Sequence, residues 1–470
     1  MAAHLHRWRG SGQDVRRSRA ITYPSSGSGL AASIGIVAMT TPTSYAGRSL
    51  RILWVKVGGL WPLNTGGRLR SFHIISELSR HHEVTVLTTH DPDEDGTALA
   101  RQLPRCALVT SVPHALAKRG GIGFMWALLR SWLTALPVSL YKCRSAALAA
   151  EVFRASAGGK FDLCVADFLH AVPNVELEGS TPVVLFEHNV EYMIWQRTGA
   201  NSKSPLRRAL LGLEWRKMRR YENRACSRAD LTITVSDDDR LLLQQDDPES
   251  RIVAIPTGVD VEYFDADDGT LEQPLEIVFT GSMDWHPNED AMRYFITGIL
   301  PLIRREAPDV SLTIVGRNPS RQLCDTAATA GVAVTGTVDD VRPYIRRAAV
   351  YVVPLRIGGG TRLKIYEALA MGKAVVSTTI GAEGLPLEEG AHILRADDPD
   401  TFARKVLDLL RNRAQRKELG TAGRRLMEQE YSWSRVAQDF ERHCRTLPLI
   451  PSQQEQTECN TRSVFSGSAT

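Results

Sequence analysis

The residues best placed to do chemistry lie between Gly358 and Glu367, where Gly358, Gly359 and Gly360 run into Thr361, Arg362, Lys364 and Glu367. An apolar run, Val350 to Val353, precedes them, and an apolar helical pattern follows. Three glycines free the backbone, and Thr361 is of the type that caps a new helix. The first amides of such a helix have no partner within it, and its dipole favours negative charge. Gly359, Gly360 and Thr361 would thus cradle an anion. Arg362 and Lys364 oppose the dipole within a first helical turn, a placement that makes sense when a diphosphate occupies the loop. Glu367 stands about one and a half turns further on and can face the same cleft, where a carboxylate suits ribose hydroxyls. The blander reading of these residues is a flexible loop ahead of a solvated basic helix start.

Two further groups could meet that ligand from another wall. Gly66 and Gly67 lie in a glycine-bearing loop after the strand-like run Arg51–Val57, and could bring bare amides to a phosphate or sugar. A plain tight turn is the alternative. His188 follows the buried-strand pattern Val183 to Phe186 within the polar triplet Glu187, His188 and Asn189. Polar residues at the carboxyl end of such a strand sit at a cleft, although a lone histidine is more often structural.

The elements that must position these groups alternate short apolar runs with longer amphipathic stretches, the pattern of helices wound on a parallel sheet. Strands are expected at 51–57, 83–87, 107–112, 162–166, 183–186, 231–235 and 252–255. Pro256 to Asp260 and the polar stretch after it interrupt the pattern, and a second series follows at 276–280, 311–315, 332–335, 350–353 and 374–377. Helices are expected near 68–80, 145–157, 204–228, 288–305, 338–348, 361–371 and 399–410. The fold class is therefore α/β, with two Rossmann-like doubly wound domains facing a central cleft. The expected organisation is an N-terminal extension (1–48), a first Rossmann-like domain (49–255) and a second Rossmann-like domain (256–435). A C-terminal helix (436–450) that can cross back to the first domain and a polar tail (451–470) complete it.

The chain has 470 residues, enough for two such domains. Its net charge of +4, from 57 basic and 53 acidic residues, is too small to argue for nucleic acid. Seven scattered cysteines without a C-x-x-C pair fit reduced thiols in a cytoplasmic protein, and no metal site is expected. Residues 1–47 are Arg-, Ser- and Gly-rich, a composition like that of a transit peptide. A disordered tail, or a start placed ahead of Met39, explains it more simply. The apolar run from Leu30 to Met39 is too short to span a bilayer.

Leu363 to Ser377 resembles the nucleotide-binding helix and following strand of the family-4 retaining glycosyltransferases. The resemblance runs from about Leu50 to Arg445. It is supported by Ile277 to Met283, Ile314 to Gly316, Pro256 to Asp260 and Gly381 to Leu385. It implies a GT-B fold, a nucleoside-diphosphate sugar as co-substrate, no other cofactor and no catalytic metal. It implies His188 as the catalytic residue beside the donor sugar. It also implies Gly66, Gly67, Gly359, Gly360, Thr361, Arg362, Lys364 and Glu367 as donor-binding residues. Two departures stand out. Gly359 occupies the place of the first glutamate in the family's paired-glutamate motif. Gly281 to Asn288 also lacks the Arg and Lys that many members carry there, leaving Arg362 and Lys364 to supply the charge.

The implied reaction moves a hexosyl group to a glycan, lipid-linked or small-molecule acceptor with retention, in polysaccharide or glycoconjugate assembly. A GT-B epimerase, and a catalytically silent protein binding nucleotide sugar or glycan, are the alternatives. Ile122 to Leu136 is rich in Phe, Met, Trp and Leu around Arg130; a buried helix, an acceptor groove or a membrane face would each explain it. Arg207, Arg208, Arg216, Lys217, Arg219 and Arg220 form a basic helix face suited to solvent or to anionic lipid. The expected location is cytoplasmic, with peripheral contact at the inner face of the membrane.

Overall fold

The computed structural model describes residues 47–63, 65–117, 121–200, 204–265, 269–357 and 362–448. Its first sheet contains β1 (Arg51–Lys56), β2 (Glu83–His90), β3 (Leu108–Pro113), β4 (Leu163–Asp167), β5 (Val183–Phe186), β6 (Leu231–Thr234) and β7 (Ile252–Ala254). The second contains β8 (Gln273–Thr280), β9 (Ser311–Val315), β10 (Ala333–Val334), β11 (Ala348–Val353), β12 (Ala374–Ser377) and β13 (Leu394–Arg395). The spatial orders are β3-β2-β1-β4-β5-β6-β7 and β10-β9-β8-β11-β12-β13. All pairings are parallel. Each order reverses direction once, beside β1 in the first sheet and beside β8 in the second. Ligands of doubly wound sheets bind at the carboxyl ends of strands next to such a reversal.

The central strands are continuous apolar runs because helices cover both faces. All six residues of β11 and all four of β12 are buried. The helix Gly66–Leu78 starts where Thr65 accepts a hydrogen bond from the Arg68 amide. Arg68 holds the preceding loop by donating to the carbonyls of Gly58, Trp61 and Pro62. The helix Leu363–Ala370 begins later than the sequence suggests. Arg362 is its N-cap and makes no side-chain capping bond, so Arg362 precedes the first turn and Lys364 lies within it. The expected cap, Thr361, lies outside the described residues, as do Gly359 and Gly360.

The last helix, Trp433–Cys444, is capped by Ser432 and packs against the helix Gly66–Leu78. Phe440 meets Trp54 and Phe186 at ring-centroid distances of 5.6 and 5.4 Å, and Trp433 stacks on His73 at 4.8 Å. Burying Phe186 and Phe440 contributes roughly 1.5–3 kcal/mol each. The linker touches the same region: the Val259 amide donates to the Tyr431 carbonyl, and Gly258 lies against the Trp433 ring. A Cβ on Gly258 would sit 2.5 Å from that ring, so the crossing demands glycine. The chain therefore passes between the sheets twice, and the two passes are bonded to each other.

Candidate active site

At the carboxyl ends of β1, β4 and β5, a buried polar cluster forms around Asp167, the last residue of β4. Its Oδ1 lies 2.9 Å from Lys56 Nζ and 2.8 Å from His188 Nε2; its Oδ2 accepts from Trp54 Nε1 at 2.8 Å. Burial alone would raise the Asp167 pKa, but Lys56 and the hydrogen bond from His188 hold it well below the carboxylate range. Burial lowers Lys56, and the Asp167 charge opposes that. His188 is pushed down to about 3 by burial, against the pull of Asp167 and with the repulsion of Lys56 and Arg70. It is a neutral imidazole at working pH.

Phe168 lies over this ring with centroids 3.9 Å apart and planes 13° apart. Its backbone has φ +69°, a region that side-chain-bearing residues seldom occupy and that marks functional sites. A Cβ on Gly67 would come within 2.6 Å of the Phe168 ring and 3.7 Å of His188 Nδ1. Gly67 and His188 are thus neighbours, as a shared donor site requires. Gly66 and Gly67 are the first two residues of their helix.

One carboxylate and an arginine support the wall. Arg70, 1% exposed, donates to the carbonyls of Glu187, Thr234 and Ile255 and so ties its helix to the ends of three strands. Glu222 accepts from the amides of Glu191 and Tyr192, at 2.8 Å each, and anchors the start of the helix Glu191–Ala200.

On the other side, Lys364 reaches back to the end of β8. Its Nζ donates to Asn288 Oδ1 at 2.7 Å and lies 4.2 Å from the Phe279 ring centroid. A Cβ on Gly281 would sit 2.7 Å from the same nitrogen. Lys364 therefore brings a cation to the Gly281–Asn288 segment, which lacks one of its own. Gly316 lets this segment close onto β9, since a Cβ there would lie 1.7 Å from the Gly281 carbonyl oxygen. Glu367 follows Lys364 by three residues on the same helix face. Burial pushes Glu367 up to about 7, with Lys364 opposing. Burial pushes Lys364 down to about 7, with Glu367 opposing.

Arg362 points elsewhere. It donates to the Ile380 carbonyl at 2.9 Å and lies 3.4 Å from Glu383 Oε2. It lines a cavity of about 500 Å³ between the two sheets, together with Asn189, Arg197, Thr257, Trp285 and Tyr366. Sequence reasoning missed Lys56, Asp167, Phe168 and Asn288. A carboxylate ending a buried strand was the available signal for Asp167, but the expected strand stopped at Ala166. Among the described residues, no group of three or more His, Cys, Asp and Glu side chains could hold a metal ion.

The helix Ile122–Trp132 lies on the surface. Met125, Trp126, Leu129 and Trp132 are exposed, and Leu133 just beyond is 88% exposed. Lys217 joins it to the long helix Pro205–Arg228 by donating to the Ser131 carbonyl at 2.7 Å. No helix among the described residues is long and apolar enough to cross a membrane.

Two family models match the chain: "Glycosyltransferase Family 4" over residues 66–263 and "Glycosyl transferases group 1" over 274–412. A 44.6 kDa protein of the cps region of Klebsiella pneumoniae is 22% identical over 399 residues, covering 82% of this chain and 97% of that one. Phosphatidyl-myo-inositol mannosyltransferase of Mycobacterium tuberculosis is 32% identical over 211 residues, covering 42% of this chain and 55% of that one. The chain thus spans about half the length of that mannosyltransferase. Among solved structures, Anabaena HepE in complex with UDP and glucose superposes with TM-score 0.58 at 14% identity, covering 85% of this chain and all of that one. Sucrose-phosphate synthase of Thermosynechococcus elongatus gives 0.61 at 15% identity, covering 84% and 99%. These likenesses identify the fold as GT-B.

Proposed function

The chain belongs to the glycosyltransferases of group 1 and family 4, and on that premise we propose that it moves a hexosyl group from a nucleoside-diphosphate sugar to a hydroxyl acceptor with retention. The observation that carries this reading is Lys364 beside Gly281 and Asn288, with Glu367 on the same helix face. That face offers a cation to a diphosphate and a carboxylate to ribose hydroxyls. The amides of Gly359, Gly360 and Thr361 would complete the phosphate cradle, and Arg362 lines the cavity between the sheets. Gly66 and Gly67 approach from the first sheet, where His188 contacts the donor sugar. A resident cofactor or metal has no step to perform.

In the reaction the bond between the anomeric carbon and the β-phosphate oxygen breaks. The acceptor oxygen bonds to that carbon on the same face, and its proton passes to the departing phosphate. The leaving diphosphate accumulates charge where Lys364 and the amides can stabilise it. Anabaena HepE forms complexes with UDP and with UDP-glucose, which supports a uridine donor as the first to try.

The acceptor is a glycan or a lipid-linked glycan, in polysaccharide or glycoconjugate assembly. The cps-region relative and the phosphatidyl-myo-inositol mannosyltransferases support that class. The surface helix supports a lipid-borne acceptor at an anionic bilayer. No Asp or Glu occurs between Asp95 and Glu151, a stretch with seven Lys and Arg that contains the exposed apolar helix. Apolar insertion and basic attraction act together at such a surface. Transfer from UDP-, GDP- and ADP-sugars to a mixed lipid and glycan extract, with the product anomer read by NMR, tests the reaction. An inverted product ends the retaining reading, and sugar conversion without acceptor favours the epimerase. Co-sedimentation with phosphatidylglycerol vesicles, set against phosphatidylcholine vesicles, tests the surface.

A further inference from the structure

Asp167 has three hydrogen-bond donors within 2.9 Å and, ionised, can only accept. Lys56 and His188 meet at Oδ1, and Trp54 meets Oδ2. The His188 nitrogen facing it, Nε2, must therefore carry a proton. The ring is gripped in this orientation by Phe168 on one face and by Phe186 edge-on at 4.7 Å. Its second nitrogen, Nδ1, is on the Gly67 side, towards the helix start that borders the cleft.

We propose that Asp167 is a positioning residue that fixes His188 as the neutral Nε2–H tautomer and leaves Nδ1 as an oriented acceptor for a hydroxyl of the donor sugar. This rests on the reading of His188 as the donor-sugar contact. The ring nitrogen opposite a carboxylate is set by that carboxylate, and the remaining lone pair then has one direction. A sugar hydroxyl approaching Nδ1 donates its hydrogen to an acceptor that needs no reorientation in the transition state. The charged groups around the ring are Asp167, Lys56 and Arg70. Lys56 holds the carboxylate ionised, so that it cannot donate back to the ring.

The test uses full-length protein with ¹⁵N-labelled histidine, the His188 signals being assigned by their loss in His188→Gln. Long-range proton–nitrogen couplings report which nitrogen is protonated. Wild-type protein is expected to show Nε2–H and a bare Nδ1, unchanged from pH 6 to 9. In Lys56→Met/Asp167→Asn the Trp54 Nε1–H holds the amide oxygen at the Oδ2 place and the NH₂ turns towards Nε2; the proton is expected to move to Nδ1, with kcat falling ten- to a hundredfold and the donor KM changing less than threefold. Asp167→Asn is measured beside it and is expected to keep Nε2–H, because Lys56 holds the amide oxygen on the His188 side. A wild-type Nδ1–H or imidazolium, or an unchanged tautomer in the double variant, overturns the proposal. Full turnover in His188→Ala would end the reading beneath it. Full turnover in Lys56→Met/Asp167→Asn beside a crippled His188→Ala would overturn this inference alone.

Discussion

The Asp167 cluster and the Lys364–Glu367 pair handle buried charge in opposite ways. Around Asp167 each charge has a protein partner: Asp167 meets Lys56, His188 and Trp54, and Arg70 donates to three carbonyls. At the second sheet Lys364 has the neutral amide of Asn288 as its hydrogen-bond acceptor, and burial drives Lys364 and Glu367 towards their neutral forms, both to about 7. The Asp167 cluster is complete before any ligand arrives. The Lys364–Glu367 pair is electrostatically incomplete, and in the proposed reading a diphosphate with its ribose would supply the missing counter-charge and donors. On that reading a template for the sugar faces a socket for the nucleotide.

The largest effect should come from breaking the Asp167 cluster. Lys56→Met removes one partner of a fully buried ion pair and leaves Asp167 with its two neutral donors. Such losses cost about 3–5 kcal/mol. Urea unfolding of the variant should show that fall with an unchanged m-value. A loss under about 1 kcal/mol would mean that water, not Lys56, balances Asp167.

Breaking the socket should leave stability nearly intact and strike binding instead. Lys364→Met is expected to weaken a nucleoside diphosphate by about 1.5–3 kcal/mol, the range for a hydrogen bond to a charged group. The corresponding monophosphate should lose far less. Calorimetric titration with UDP and UMP, or with whichever base raises the melting temperature, reads the difference. Equal losses for both ligands would remove the phosphate assignment from Lys364.

The difference between the cluster and the pair also explains what was legible in the sequence. Sheets announce themselves by apolar runs, so β9, β12 and the series around them fall where periodicity puts them. The glycine-rich runs follow apolar runs in the sequence, the places where a doubly wound sheet brings backbone to its ligands. Asp167 is marked only as a carboxylate ending a buried strand, since its partners Trp54, Lys56 and His188 come from β1 and from the segment after β5, which no local pattern joins to it. Lys364 could be read as a cation near the phosphate, but not as the one that serves Gly281, 83 positions away. Arg362, its neighbour but one, points to Ile380 instead. The helix Ile122–Trp132 is apolar on most of its surface, so its pattern names no buried face and could not say that Trp126 lies exposed. The two-residue β13 is too short for any pattern.

A smaller effect follows from the socket's titration. In the free protein burial lowers Lys364 to about 7 and raises Glu367 to about 7. A bound diphosphate favours the ammonium and raises the Lys364 pKa, so binding takes up a proton above pH 7. Affinity should then fall with rising pH, by up to about tenfold per unit. Ribose hydroxyls favour the Glu367 carboxylate and lower its pKa, so affinity should also fall below pH 7. Dissociation constants for UDP-glucose, whose diphosphate does not titrate in this range, should pass through an optimum near neutrality. The Asp167 cluster predicts no such profile, and a flat curve from pH 5.5 to 9 would make the socket as self-contained as that cluster.

The smallest effect is expected at Arg362, and it decides where the socket ends. Arg362 lies two residues before Lys364 and carries the more durable charge, so sequence alone makes the two equal candidates. Their partners differ. Lys364 has a neutral acceptor, whereas Arg362 holds the Ile380 carbonyl and lies 3.4 Å from the Glu383 carboxylate. A cation already compensated in this way gains less from an arriving phosphate, because it must share or give up those contacts. Arg362→Ala should therefore weaken diphosphate binding by about threefold, roughly 0.6 kcal/mol. Arg362 also lines the cavity between the sheets, so its loss should be felt more by an intact sugar nucleotide reaching across than by the free diphosphate. Competition binding of both ligands to Arg362→Ala and Lys364→Met gives the four numbers required. If Arg362→Ala costs the free diphosphate as much as Lys364→Met does, the Glu383 contact opens on binding. The socket then includes the far side of the helix start, and the contrast with the complete Asp167 cluster holds for Lys364 and Glu367 alone.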